Sequence, residues 1–381
     1  MKTRKAAIVQ GLGQAIELAA LTILFVVYYK QRRMTTSWIT FHLSAMLLMP
    51  MLRMLLTPRL TRWAGSLGET VVHYIGATIA VLALVALGYV TLLPLPSDNL
   101  TAVLLFYLLA LGTALQRSPS QPSDYHRWGW MAPWISLLLV QGIAIMIVGN
   151  IQVLERNGFA LSWSVAFYLT AAFAAIGTLL SIPIYPIPRH KENQPVTTHW
   201  GELPSLRQGG EMTMVLALLA AVPMLFLIDM PHNGGLGMAP QEFAFSMGGI
   251  GVAALALGFD LRKQLWKKLE SPLMQALPRL VAAVTTPAIF LLLSLELPRD
   301  LTVVSTLLFV SQLAMGFTIA DMNQKCIPVS PLISLAVLAL SGFLQFNLGY
   351  RHYFALCIGC AVLIVAFCYA VSWLRTKRKQ A

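Results

Sequence analysis

The chain has 381 residues, of which 57% are hydrophobic and only 11% charged, with a mean hydropathy of +0.70 and a net charge of +12. Such a composition excludes a water-soluble globular chain. The positive charge does not indicate a nucleic-acid binder, because the Lys and Arg residues sit in short breaks between apolar runs rather than on one polar face.

Apolar runs of about twenty residues match the hydrocarbon thickness of a bilayer at helical rise. No water at that depth can satisfy a backbone, so each run must close its own hydrogen bonds as a helix. In chain order the first half predicts helices at about 8–29, 36–57, 69–92, 100–118, 129–150 and 163–186. The second half predicts about 212–230, 243–261, 275–297, 301–321, 330–349 and 352–374. The start, Met1-Lys2-Thr3-Arg4-Lys5, imitates a signal peptide. Its apolar run, however, extends to about Tyr29 and holds Gln10, Gln14 and Glu17, which predicts an uncleaved first membrane helix. The fourth run is firmly apolar only from Leu100 to Leu115 before it meets Gln116 and Arg117. Pro223 is expected to kink the seventh, since proline removes one helical hydrogen bond.

The longest polar stretch runs from Pro188 to Gly210. It predicts a six-helix bundle at 1–187, a cytoplasmic linker at 188–210 and a second six-helix bundle at 211–381. Most of the 27 Lys and Arg residues fall on the side of both termini and this linker, which orients that side to the cytoplasm. Lys30, Arg32 and Arg33 are the main exception, and their charges can snorkel to headgroups. Two six-helix halves joined by a basic linker describe the major facilitator architecture.

Ionisable and amide side chains at membrane depth are functional candidates, because burying them is costly. Gln10, Gln14 and Glu17 recur at helical spacing and share one face of the first helix. Low dielectric favours the neutral form of a carboxyl such as Glu17, which makes it a candidate proton carrier; the alternative is a hydrogen-bonded packing contact between helices. Gln141 in the fifth helix and Gln312 in the tenth are candidates to contact a polar solute, and amides also join helices to each other. Arg53 and Arg279, near matching helix ends, are candidates for gating or anion contact. Asp229 is expected to cap the seventh helix near the Gly234–Gly237 turn. His42 and His73 read as structural histidines. Gly249 with Ala253, and Ala254 with Gly258, predict small packing faces on the eighth helix. Cys357 and Cys360 form a C-x-x-C inside an apolar helix, where small packing residues are the better reading.

The loop read as Gly258-Phe259-Asp260-Leu261-Arg262-Lys263 resembles the facilitator signature of a glycine, an acid and a basic pair, which makes Asp260 and Arg262 further gating candidates. A longer string begins at Asp229 and passes through Gly234-Gly235-Leu236-Gly237-Met238 and Glu242. It continues with Gly248-Gly249-Ile250-Gly251-Val252 and Leu255-Ala256-Leu257-Gly258. With Leu348-Gly349-Tyr350-Arg351-His352-Tyr353-Phe354, it resembles the AmpG-like, muropeptide permease-like branch of the major facilitator superfamily, as a divergent Bacteroidota-type member. That resemblance implies a monomeric permease of the cell inner membrane, often a proton symporter. Its cargo would be a muropeptide or another sizeable polar solute. The family's fourth-helix acids are absent here; the matching stretch reads Gly112-Thr113-Ala114-Leu115-Gln116-Arg117-Ser118-Pro119.

No Walker A, zinc-spaced His/Cys set, nucleophile elbow or dinucleotide fingerprint occurs, so neither an enzyme, a cofactor nor a bound metal is expected. The expected function is secondary active transport of a polar solute by alternating access, with protons as coupling partner. The alternative is a transport-inactive facilitator fold serving as a membrane scaffold or partner subunit.

Overall fold

The computed structural model describes residues 11–49, 59, 68–93, 100–116, 131–155, 158–181, 211–266, 272–295, 300–321 and 331–380. Gln10 and Arg53 lie outside the described residues. Among the described residues the regular structure is helical, with no strand. Eight helices among the described residues are long and apolar enough to cross a membrane, and two shorter apolar helices accompany them.

The helices are numbered here in chain order. Helix α1 is Leu12–Gln31, α2 is Thr36–Leu47, α3 is Gly68–Leu92, α4 is Leu100–Leu115, α5 is Met131–Leu154 and α6 is Phe159–Ser181. Helix α7 has two pieces, Glu211–Leu219 and Val222–Ile228. Helix α8 covers 240–266, α9 is Pro272–Leu293 and α10 is Leu301–Asp321. A last helical run, Pro331–Gln380, is broken at Gly349 (φ 74°, ψ 166°), which gives α11 at 331–348 and α12 at 350–380. An L side chain rarely adopts that φ, so glycine sets the boundary.

Two compact units emerge. One spans Met1–Met34 and Ala45–Trp200, and the other Thr35–Ser44 and Gly201–Ala381. Residues 35–44 of α2 therefore cluster with the second unit. The Thr40 hydroxyl lies 3.4 Å from the Ala339 carbonyl oxygen, and Gly342 faces Thr36 of the same segment.

In the first unit, α6 packs on α1 and α3, while α3 packs on α4. Glycines allow the closest of these approaches. A Cβ at Gly76 would meet the Gly112 carbonyl oxygen at 2.6 Å, and one at Gly112 would meet that of Gly76 at 2.7 Å. An aromatic cluster of Phe25, Tyr28, Tyr29, Phe106, Trp163 and Phe167 fills the other end of α1. Beside it, the Trp163 indole N–H donates to Gln31 Oε1 at 2.8 Å, and the Gln152 amide donates to the same oxygen at 3.2 Å. Arg32 adds a charged contact at this end, its guanidinium donating to the Tyr28 hydroxyl at 2.6 Å.

In the second unit, α8 packs on α10, α9 on α10, and the α11–α12 run on α7 and α9. The pairing of α12 with α7 matches that of α6 with α1 in the first unit. The break in α7 falls at Ala220–Ala221, with Pro223 at the start of the second piece. Proline cannot donate a backbone hydrogen bond, and the interruption frees carbonyls of the turn before it. One of these, at Leu218, accepts the buried Tyr353 hydroxyl at 2.5 Å. The kink expected at Pro223 is thus a full interruption, repaired by a side chain from α12.

Two expectations need correction. The segment Gly258–Lys263 is helix rather than loop, because α8 continues to Trp266. The Gly249–Ala253 pair is exposed, with nothing within 4 Å of a Cβ at Gly249. Only the Ala254–Gly258 face is buried, and Gly258 there lies against the Leu313 carbonyl.

Candidate functional site

Glu17 lies in the second turn of the described part of α1, nearer its N-terminal end than its midpoint, because Gly11 leaves helical geometry (ψ 2°). The side chain is completely buried (0% exposed). A π turn, Ala20–Leu24, follows at once. The extra residue in such a turn rotates the helix face beyond it, so the polar face before Glu17 gives way to the aromatic face after it.

Helix α4 supplies the partners of the carboxyl. The Thr113 hydroxyl lies 3.1 Å from Glu17 Oε2 and 2.9 Å from the Leu109 carbonyl oxygen. It has one proton, so it donates to one of these at a time. The Gln116 amide also donates to Oε2. Gln14, one turn before Glu17, donates from its amide to the Thr113 carbonyl oxygen at 3.1 Å. Glu17 Oε1 is buried and receives no hydrogen bond. Among the described residues no basic side chain pairs with this carboxyl. An ionised Glu17 would therefore be a buried charge held only by neutral donors, and a single interacting partner would change its energy strongly.

Gln14 and Glu17 thus meet at one site, as their spacing predicts. The structure adds Thr113 and Gln116, which the sequence reading missed. Both fall in the stretch matched to the family's fourth-helix acids, where this chain carries no carboxylate. Their own spacing of three places them on one face, and two hydrogen-bonding groups on one face of an apolar helix is the signal that was available.

Gln141 is buried on a second π turn, Leu138–Ala144, in α5. That turn packs against α1, but Gln141 makes no hydrogen bond to the Glu17 set among the described residues. Gln312 belongs to the second unit. It is buried on α10, its Cγ 3.3 Å from where a Cβ at Gly251 would lie.

The gating candidates separate. Asp260 is exposed on α8, with the Gln264 amide 3.4 Å from its carboxylate. Arg262, two residues on and so on another helix face, is buried, its guanidinium 5.3 Å from the centre of the Phe317 ring. That is a cation–π contact between α8 and α10. Arg279 is buried on α9. Cys357 and Cys360 are free thiols on α12.

A second buried carboxylate, Asp229, has a different setting. It ends α7, as expected of a cap. Its Oδ1 accepts the Met230 backbone N–H at 2.9 Å and the Asn233 amide at 3.1 Å, and its Oδ2 accepts the Tyr350 hydroxyl at 2.8 Å. The following turn needs left-handed backbone at Gly234 (φ 77°) and Gly237 (φ 73°). Between α8 and α10 of the same unit lies a groove of about 460 Å³. Phe245, Ile250 and Phe309 line it with the hydroxyl-bearing Thr302, Ser305 and Thr306. Among the described residues no group of three His, Cys, Asp or Glu is placed to hold a metal ion.

Comparison with protein-family models and with curated proteins finds no match. Solved structures do match. The nucleoside transporter NupG aligns with 97% of this chain and 99% of its own length, at 15% identity and a TM-score of 0.56. A POT family transporter solved with 5-aminolevulinic acid covers 97% and 96%, at 11% identity and a TM-score of 0.59. A bacterial homologue of the iron transporter ferroportin, in an inward-facing state, covers 97% and 98%, at 12% identity and a TM-score of 0.59. At such identities the likeness shows the fold. It is an all-α, multi-pass membrane fold of the major facilitator type, shared by transporters.

Proposed function

We propose that this chain is a secondary active transporter that carries a small polar solute by alternating access. The observation that carries the reading is Glu17: a completely buried carboxyl with no cationic partner among the described residues, set among neutral donors within a fold that known transporters share. A scaffold has no need of so costly a group. In this reading the helices form two six-helix bundles, 1–187 and 211–381, joined by a cytoplasmic linker, twelve spans in all. Glu17 takes part in coupling or cargo contact, with Gln14, Thr113 and Gln116 holding it. The basic residues of the linker and termini support a cytoplasmic side for both ends. The resemblance to AmpG-like permeases supports the cell inner membrane as location, and adds cell-wall fragments to the cargo candidates.

The test is uptake into proteoliposomes. Purified protein would be screened with labelled nucleosides, peptides and muropeptide fragments, with and without an imposed pH gradient. We expect gradient-dependent uptake of at least one class, abolished in Glu17→Gln. Uptake undiminished in that variant would remove Glu17 from the mechanism. No uptake of any class would favour the scaffold.

A further inference from the structure

The groove between α8 and α10 has a floor and a mouth of different chemistry. It runs along the first half of both helices, past Phe245 and Ile250 on one side and from Leu301 to Phe309 on the other. At helical rise the stretch from Leu301 to Phe309 spans about 12 Å, close to the roughly 15 Å of hydrocarbon in one leaflet. The residues on and beside the groove make a lipid-facing surface: Phe245, Leu257, Val303 and Val310 are all exposed and apolar.

The hydroxyls of the groove change character with depth. Ser305 is buried and pairs with the Ser246 hydroxyl at 2.9 Å. Thr306 donates to the Thr302 carbonyl oxygen, one turn back, at 2.8 Å. Hydroxyls engaged in this way can face hydrocarbon at little cost. Thr302, in the first turn of α10, is exposed, and its hydroxyl makes no hydrogen bond among the described residues. A polar solute lying along the groove would find the inner hydroxyls already engaged, whereas a lipid needs only the outer one.

Two carboxylates stand at the mouth. Glu242 lines a second cavity, of about 200 Å³, which shares Leu301 with the groove, and Asp300 directly precedes Leu301. Each closes a helix end with one oxygen. Glu242 Oε2 accepts the Ala239 backbone N–H at 2.9 Å, and Asp300 Oδ1 accepts that of Thr302 at 2.9 Å. The second oxygen of each has no partner among the described residues. Neither α8 nor α10 carries a basic side chain in its first half. Open carboxylate oxygens above an apolar slot fit a lipid whose head is a cation with N–H donors. We propose that this groove is a lipid site. One acyl chain lies along Phe245, Ile250 and Phe309, and a primary ammonium head, as in phosphatidylethanolamine, donates to Glu242 and Asp300. The Thr302 hydroxyl donates to an ester or phosphate oxygen between them. This inference goes beyond the transport reading and stands without it.

The test is native mass spectrometry of the purified full chain in a polyoxyethylene detergent. The chain is offered equal amounts of dioleoyl phosphatidylethanolamine, its N-methylated series up to phosphatidylcholine, and phosphatidylglycerol, all with the same acyl chains. Retention is expected to fall stepwise as methyl groups replace N–H donors, by about tenfold across the series, the scale of one charge-assisted hydrogen bond. Phosphatidylglycerol should rank no higher than phosphatidylcholine, since it brings negative charge to an acidic mouth. The double variant Glu242→Gln, Asp300→Asn keeps an oxygen for each helix end and should flatten the series. Thr306→Trp fills the slot and should lower retention of every lipid without changing their order. Glycerophosphoethanolamine, the same head without chains, should not compete. If Thr306→Trp does not fold, the flattened series in the amide variant carries the test.

Five results would overturn the assignment: equal retention of phosphatidylethanolamine and phosphatidylcholine, a preference for phosphatidylglycerol, an unchanged series in the amide variant, undiminished retention in folded Thr306→Trp, or competition by the chainless head. Loss of uptake in Glu17→Gln with lipid retention intact would show that the two sites act separately, as their places in different units require.

Discussion

Glu17 and Asp229 are both buried carboxylates, and their surroundings differ in how far each is satisfied. Asp229 ends a helix, and both of its oxygens are filled by three donors, one of them the phenol of Tyr350. Glu17 lies within a helix, with one oxygen shared by two neutral donors and the other with none. A carboxylate that is completely satisfied holds a fold together. One left partly unsatisfied in a dry interior is costly unless a further partner arrives. On the reading proposed above, Glu17 is the group that works and Asp229 the group that holds.

The sharpest way to break this contrast is to exchange the expected losses. Glu17→Gln should lower coupled uptake by at least about a hundredfold while the unfolding temperature stays level or rises, since an amide suits the dry site better than a carboxylate. Loss of folding in place of loss of uptake would reverse the assignment. Asp229→Ala should do the opposite. It strands three donors and is expected to cost about 2–4 kcal/mol in a detergent unfolding titration, with uptake per folded molecule retained. Next in size is Tyr353→Phe, which leaves the Leu218 carbonyl without its partner. A loss of about 1 kcal/mol is expected, given the modest value of hydrogen bonds between membrane helices. The smallest effect is Gln14→Leu, about 0.6 kcal/mol by the same measure. Uptake there should change by less than about twofold, because Gln14 reaches Glu17 only through the Thr113 backbone. A larger fall in uptake would promote Gln14 from support to direct contact.

Much of the helical plan was visible before any coordinates. Hydropathy runs placed α10 at its observed bounds and put the junction of α11 and α12 at about 350–351, one residue from the break observed at Gly349. Glu17 and Gln14 stood out because a polar face on an apolar helix has few explanations. Gln116 did not, because a polar residue at the end of an apolar run reads first as the start of a loop. The same ambiguity misplaced Gly258–Lys263. Charged residues end the hydrophobic pattern, but they do not end the backbone hydrogen bonding, so α8 runs on to Trp266. Spacing also suggested two small faces on α8, and only burial separates them: Gly249 is open, whereas Gly258 meets α10. Pairings such as Thr113 with Glu17, 96 residues apart, depend on which helices become neighbours, and composition carries no record of that.

The seating of α8 on α10 has a mechanical consequence. Gly258 rests on the Leu313 carbonyl and Gly316 on that of Leu255, a reciprocal pair in which each backbone lodges in a notch of the other. Two rods keyed together in this manner resist sliding along their axes, since any axial slip would drive a peptide group into its neighbour. They must travel as a single plank. Any bending within this unit would then fall to its weaker joints, the gap in the seventh helix and the glycine corner before Tyr350.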